Sequence, residues 1–471
     1  MRPLLLLFGI FPLTFANMNG GKGTCKLPTV EGPISGGQRG YPFASYYGNI
    51  DEIGYIEEEF FLTGNATEYE PVGDLSLDGK WNLKPTKSSY YKTRIIVRRP
   101  KNHSRFSGVA LLEWINVSFG YEVTFGGDAP GLYENASVYV LVSAQRVGIS
   151  GLNIPNPQGL HQWDSDRYGS LTIPNDTVSY DIYTQAARLI KSPQGQAKVL
   201  GGLSPDIVVA VGGSQSGSRV LAYTNGIQPL SNVFDATMPL LSASQAATFS
   251  TDHTLTGEQA PTVSAMVRTD LQIPVFMINS ELEASYTILF GTRQPDTSKF
   301  RYWEVAGASH VNVPLYENLL LTLNRDGVEP PEQLSLHWSQ VNWLPVVDAA
   351  FRLLPAWIKH HNAPSKMPLI EGYLNGTTPI LNRASDGNVI GGVRLPEITV
   401  PIAKYVGLVG TGLNGATIPY DEAKLKELYQ TPEEYVKRVR EASVQAYDRG
   451  IIPSYQVALE VKKAVAAHLR Y

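Results

Sequence analysis

Residues 208–219, VVAVGGSQSGSR, place serines where a nucleophile turn would hold one. A serine hydroxyl is a poor nucleophile until a neighbouring base takes its proton. The turn that presents such a serine is a strained strand-to-helix bend, with small residues two before and two after it. The usual G-x-S-x-G pattern is incomplete in both frames: Ser214 has Gly212 and Ser216 around it, and Ser216 has Ser214 and Ser218. Serine is nearly as small as glycine, so size does not choose between them. The flanking elements do. DIVVAVGG (206–213) is a short apolar run after Pro205 and reads as a buried parallel strand. The helix of GSRVLAYTNGI begins near Gly217, so the turn falls at Ser214. Gly212 then clears the strand side and Gly217 lets the helix pack close to the sheet.

Acyl chemistry at Ser214 needs a histidine, a carboxylate to orient it and donors for an oxyanion. Downstream, IPVFMINSELEASY is a buried strand running into an acidic loop with Glu281 and Glu283. Glu283, a few residues past the strand, is the expected acid, and Glu281 is the close alternative. The next strand ends in WEVAGASH, which puts His310 in the loop beyond it. The chain order Ser, acid, His and the strand-end positions are those of one recurring arrangement. One oxyanion donor is expected from the N–H of Gln215, and the second from Asn116 or Val117 in LLEWINVSFGYE. Asn116 reads equally well as a turn residue or a glycan site. Two other motifs carry no chemistry. GTGLNG (410–415) matches G-x-G-x-x-G, but Pro419 disfavours the helix a dinucleotide site needs. His360 and His361 are adjacent and diverge by about 100° on a helix, so they cannot share a metal. No cofactor is expected, neither metal nor nucleotide.

These residues need a scaffold. YIEEEFFLTG and YYKTRIIVRRP alternate as half-buried strands, and GVALLEWINV and SVYVLVSAQ read as central parallel strands. SYDIYTQAARLIKS has helical spacing. NVFDATMPL, IPVFMINS and FRYWEVAG are further strands, so strands alternating with helices predict a mostly parallel, helix-covered sheet. LPVVDAAFRLLPAWIKH reads as a helix broken near Pro355, and the tail ends in amphipathic helices. The expected organisation is an N-terminal arm over 17–50, a core over 51–365 and an extension over 366–471, which no Pro/Ser linker separates from the core. Cavity walls are expected from residues 119–133, 153–163 and 242–257.

The chain has 471 residues, 43% of them hydrophobic, enough for one large α/β domain with additions. A net charge of −4 with no long basic run argues against nucleic acid as a partner. MRPLLLLFGIFPLTFA has one Arg, an apolar centre and small residues at Thr14 and Ala16. It reads as a secretory signal peptide over 1–16, too short to span a membrane. No other stretch has about 20 uninterrupted apolar residues, so no membrane span is expected. Sequons at Asn65, Asn102, Asn116, Asn135, Asn175 and Asn375 agree with a secreted glycoprotein, though Asn116 follows an apolar strand, where burial would leave it unmodified. Cys25 is the only cysteine, so no intrachain disulfide can form and the fold depends on its core.

SQSG, EWINVS, SAQRVGI, DSDRYGSL, SYDIYTQA, RQPDT…FRYWEVAGASH and DGNVIGGVRLP together resemble the alpha/beta hydrolase domain-containing family of bacteria and fungi, from about residue 50 to the end. The resemblance implies an α/β-hydrolase fold with the extension intrinsic to it, and Ser214 and His310 as nucleophile and base. Members of that family often carry S-E-T-D where this chain has Ser280, Glu281, Leu282 and Glu283, so Glu283 stands at the Asp position. The family is functionally heterogeneous and names no substrate. The expectation is a secreted serine hydrolase acting on a small-molecule carboxylic ester. An acyltransferase or cyclase with the same acyl-enzyme, and a hydrolase-fold protein that only binds, are the alternatives.

Overall fold

The apolar runs become the middle of a nine-stranded sheet. In the computed structural model, which describes residues 27–127, 129–249, 261–467 and 469, the strands are β1 (Thr29–Glu31), β2 (Tyr55–Pro71), β3 (Leu83–Pro100), β4 (Val109–Trp114), β5 (Val138–Val142), β6 (Ile207–Gly213), β7 (Ala236–Leu240), β8 (Val275–Ser280) and β9 (Phe300–Val305). The expected signal peptide and Cys25 lie outside the described residues.

Their spatial order is β1-β2-β3-β5-β4-β6-β7-β8-β9. The first three strands pair antiparallel, as does β3 with β5, and every pairing from β5 to β9 is parallel. Strands β4 to β9 are buried along their whole length. This is why they read as mostly apolar runs; β2 and β3, which lie next to the edge strand β1, depart from the expected alternation and carry runs of consecutive buried residues beside half-buried and exposed ones.

Four helices matter to the site: α1 (Ser179–Lys191), α2 (Gln215–Ala222), α3 (Val313–Asp326) and α4 (Leu344–His360). Helix α1 is tied to the sheet through Tyr183, whose hydroxyl donates to Leu112 O of β4 and accepts from Val211 N of β6. Helix α4 corrects an expectation, because it continues through Pro355 without a break. Proline inside a helix costs about 3 kcal/mol. The face carrying Val346, Val347, Ala350, Phe351, Leu354 and Trp357 is buried, and burial of about 1.5–3 kcal/mol per large apolar side chain outweighs that loss.

The described part of the arm, residues 27–50, is fastened to the core: Ile34 N donates to Glu59 O, Phe43 N to Tyr168 Oη and Ala44 N to Asp326 Oδ2. The extension is fastened to the far edge. Ala306 N donates to Val393 O (3.0 Å) and Val393 N to Glu304 O (2.7 Å), so Val393 pairs parallel with Val305 just beyond β9.

Candidate active site

Ser214 sits between β6 and α2 at φ 60°, ψ −124°. Few non-glycine residues adopt such a conformation, and holding it costs on the order of 1–3 kcal/mol. The bend closes tightly: a Cβ on Gly212 would lie 2.5 Å from Ser216 O, and one on Gly217 would lie 2.2 Å from Leu240 O. Both glycines therefore do the work expected of them. Ser216 is fully buried, and its hydroxyl donates to Gly213 O (2.9 Å), so it faces away from any reactant. Helix α2 begins at Gln215, two residues earlier than expected, directly after the serine.

The other two groups converge on Ser214. His310 Nε2 is 2.7 Å from Ser214 Oγ, and His310 Nδ1 is 2.6 Å from Glu283 Oε1. Burial pushes the Glu283 carboxyl up, but the charge and hydrogen bond of His310 and the hydroxyl and amide of Ser280 outweigh it and hold it below the usual carboxylate range. An ionised Glu283 can only accept, so Nδ1 carries a ring proton, and when the imidazole is neutral Nε2 is free to accept from Ser214. Glu283 is aimed by a capping box. Its Oε2 accepts from Ser280 N and Ser280 Oγ (both 2.7 Å), while Ser280 Oγ caps the turn at Leu282 N. The spacing Ser280-x-x-Glu283 is the sequence signal that separates the two glutamates.

Glu281 lies elsewhere, which corrects its candidacy as the orienting acid. One residue along a helical turn from Leu282, it points about 160° away from Glu283. Its Oε2 accepts from Gly307 N (2.7 Å), and its Oε1 from Arg383 Nη2 (2.7 Å) and Gly407 N (3.1 Å).

Gln215 N is the first amide of α2 and has no intrahelical acceptor. Asn116 is corrected as an oxyanion donor because its N–H already donates to Val123 O (3.1 Å). Its side chain donates to Gly213 O and accepts from Ser118 N, and it is 1% exposed, so this sequon is closed to a glycan. Val117 N has no acceptor among the described residues. Of the other sequons, Asn65, Asn102 and Asn375 are exposed, and Asn135 and Asn175 are half-buried.

A cavity of about 470 Å³ opens over these groups. Phe119 and Phe125 come from the first expected wall, and Ser242, Ala243 and Gln245 from the third, of which residues 250–257 lie outside the described residues. The stretch 153–163 contributes nothing to the described lining; Trp163 instead packs on Tyr41 and Phe43 of the arm. Tyr286, Val311 and Leu413 also line the cavity and were not expected. Tyr286 is in the sequence neighbourhood of Glu283, but Leu413 is brought in only by the tertiary fold.

Sheet order, turn and strand-end residues define an α/β-hydrolase scaffold. A family model described as alpha/beta hydrolase domain matches residues 30–462, and the chain belongs to that family, as its motifs led us to expect. Among solved structures, it is similar to esterase Est22 (12% identity, 59% of this chain and 72% of that one, TM-score 0.28). It is also similar to a CE15 glucuronoyl esterase from Teredinibacter turnerae T7901 (12%, 65% and 80%, 0.29) and to XC6422 from Xanthomonas campestris, a member of a/b serine hydrolase without lid (12%, 58% and 97%, 0.29). Likenesses this distant carry no argument about substrate. A search of curated proteins found no significant match.

Proposed function

We propose that this protein is a serine hydrolase that cleaves carboxylic esters through an acyl-enzyme on Ser214. The observation that carries the reading is the unbroken hydrogen-bond chain Ser214–His310–Glu283 at an open cavity. His310 Nε2 takes the hydroxyl proton as Ser214 Oγ attacks the acyl carbonyl. The imidazolium is stabilised by Glu283, and the oxyanion is met by the N–H groups of Gln215 and Val117. The C–O bond to the alcohol breaks as His310 returns the proton to the leaving oxygen. Water then attacks the acyl-serine with His310 again as base, releasing the carboxylic acid and restoring Ser214.

The test is labelling by a fluorophosphonate probe, together with turnover of simple esters. Wild-type protein should carry the adduct on Ser214 and hydrolyse at least one ester. Ser214→Ala should lose labelling and roughly 10⁴-fold or more in kcat, while keeping its fold. Ser216→Ala should still label. An adduct on Ser216, or none on folded protein with several probes, would overturn the reading.

The protein is further proposed to be exported, on the strength of residues 1–16 and the exposed sequons at Asn65, Asn102 and Asn375. N-terminal sequencing of material secreted by a eukaryotic host should start near Asn17. Recovery of intact Met1 on an exported chain would contradict it.

A further inference from the structure

The GTGLNG stretch, which is followed by a strand rather than a helix, belongs to a loop of the extension that reaches the catalytic groups. Residues 407–415 leave one strand of a small hairpin (Ala403–Val406) and return in its partner (Ala416–Pro419). Between them, Leu413 O accepts from Val311 N (2.9 Å), the residue next to His310, and Asn414 O accepts from Ser339 N (2.9 Å). Leu413 lines the cavity and is 40% exposed. At the loop's start, Gly407 lies so close to the acid turn that a Cβ there would be 2.7 Å from Glu281 Cβ and from Ala308 O. At its end, a Cβ on Gly415 would be 2.9 Å from Ser309 Cβ.

The loop is also clamped electrostatically. The fully buried Glu281 carboxylate joins three segments: the base loop through Gly307 N, the 407–415 loop through Gly407 N, and the preceding part of the extension through Arg383. Charge-assisted hydrogen bonds in a buried setting are strong and directional. A leucine on an ordinary surface loop would need no explanation; this one is held by its own backbone to the residue beside the base.

We propose that Leu413 is a specificity residue of the ester-cleaving site and that the Glu281–Arg383 pair positions it, so that the C-terminal extension limits the size of substrate accepted. The proposal rests on the reading of the site as an esterase.

The experiment measures kcat/KM for p-nitrophenyl esters graded from acetyl to octanoyl and for acetates graded by alcohol size. Wild type, Leu413→Ala and Leu413→Trp are compared, each checked by fluorophosphonate labelling and thermal unfolding. Leu413→Ala should shift preference toward the larger members of one series and Leu413→Trp toward the smaller, each by about ten-fold in the large-to-small ratio, with the adduct still found on Ser214 and a cooperative thermal transition retained. Ratios within two-fold of wild type in both variants and both series would overturn the proposal while leaving the esterase reading intact. A wild-type protein that neither labels nor turns over any ester would overturn both. Arg383→Met should blur the same ratio and Arg383→Lys should restore it, whereas a purely structural role would lower every ester in proportion. If Arg383→Met does not fold, the Leu413 variants decide alone.

Discussion

Glu281 and Glu283 stand two residues apart on one turn and meet different partners. Glu283 turns back over the end of β8 to Ser280 and His310, and Glu281 turns outward to Gly307, Gly407 and Arg383. Their neutral variants should therefore fail in different ways. Glu283→Gln should lower kcat by roughly 10²–10⁴-fold, since an amide can favour the wrong histidine tautomer, with a modest effect on stability. Glu281→Gln should retain far more turnover but lose stability on the order of 2 kcal/mol. That is less than the ~3–5 kcal/mol of breaking a fully buried pair, because Arg383 is partly exposed. Ester kinetics beside urea unfolding check both, and equal mild losses of turnover would mean that neither glutamate orients His310. At this scale the sequence is informative. The small residues around Ser214 and the strand-end positions of Glu283 and His310 follow from local steric rules. The capping spacing from Ser280 is also written there, although only the structure shows that the capping carboxylate is shared with the histidine. The commitment of the Asn116 amide to Val123 is not legible, because that bridge depends on how the loop after β4 folds back.

Strand β4 shows how an element places a loop. Glu113 is fully buried in an otherwise apolar strand, and its carboxylate accepts from Phe125 N (2.7 Å), Gly126 N (3.2 Å) and Tyr139 Oη. This fixes Phe125, whose ring lies on Gly213, edge-on to His310 and stacked on Trp343. Burial pushes the Glu113 carboxyl up to about 7, against the opposing pull of Tyr139 and the two amides. Between 4.5, the ordinary value, and about 7, the folded chain therefore holds a proton that the unfolded chain has released. More protons bound in the folded state means that stability falls as pH rises through this window and levels off above it, by roughly 3 kcal/mol in all. Glu113→Gln, neutral throughout, should lose that component. Urea midpoints of the two proteins from pH 4.5 to 7.5 should diverge steadily, and parallel curves would remove Glu113 as the source. A lone Glu inside an apolar run was visible in the sequence, but its partners lie on a loop and on β5, beyond the reach of strand periodicity. Pro355 shows the converse, a local signal for a break that the buried face of α4 overrides.

Over the whole molecule, the absence of a Pro/Ser linker before residue 366 pointed to an extension packed on the core, and the contacts explain why it must be. Ile370 N donates to the buried Glu304 carboxylate, and Val393 extends the sheet edge beside Val305. Which part of the extension meets the cavity was not legible, because Glu281 and Arg383 are 102 positions apart in the chain. Ile370, Val389, Val393, Leu395, Ile398, Ala403 and Tyr405 belong to the same buried cluster as the sheet. Their loss would expose apolar surface of that cluster to water. Removing them would also strip Glu281 of Arg383 and Gly407 and leave a buried carboxylate short of partners. A chain ending at Ser365 should therefore not reach the native state. Expressed beside the full-length protein, it should be insoluble or, if soluble, should lack near-UV circular dichroism and a cooperative thermal transition, and Ser214 should not label. A truncated chain that melts cooperatively and still labels would show that the core is a separate domain and that the extension merely rests on it.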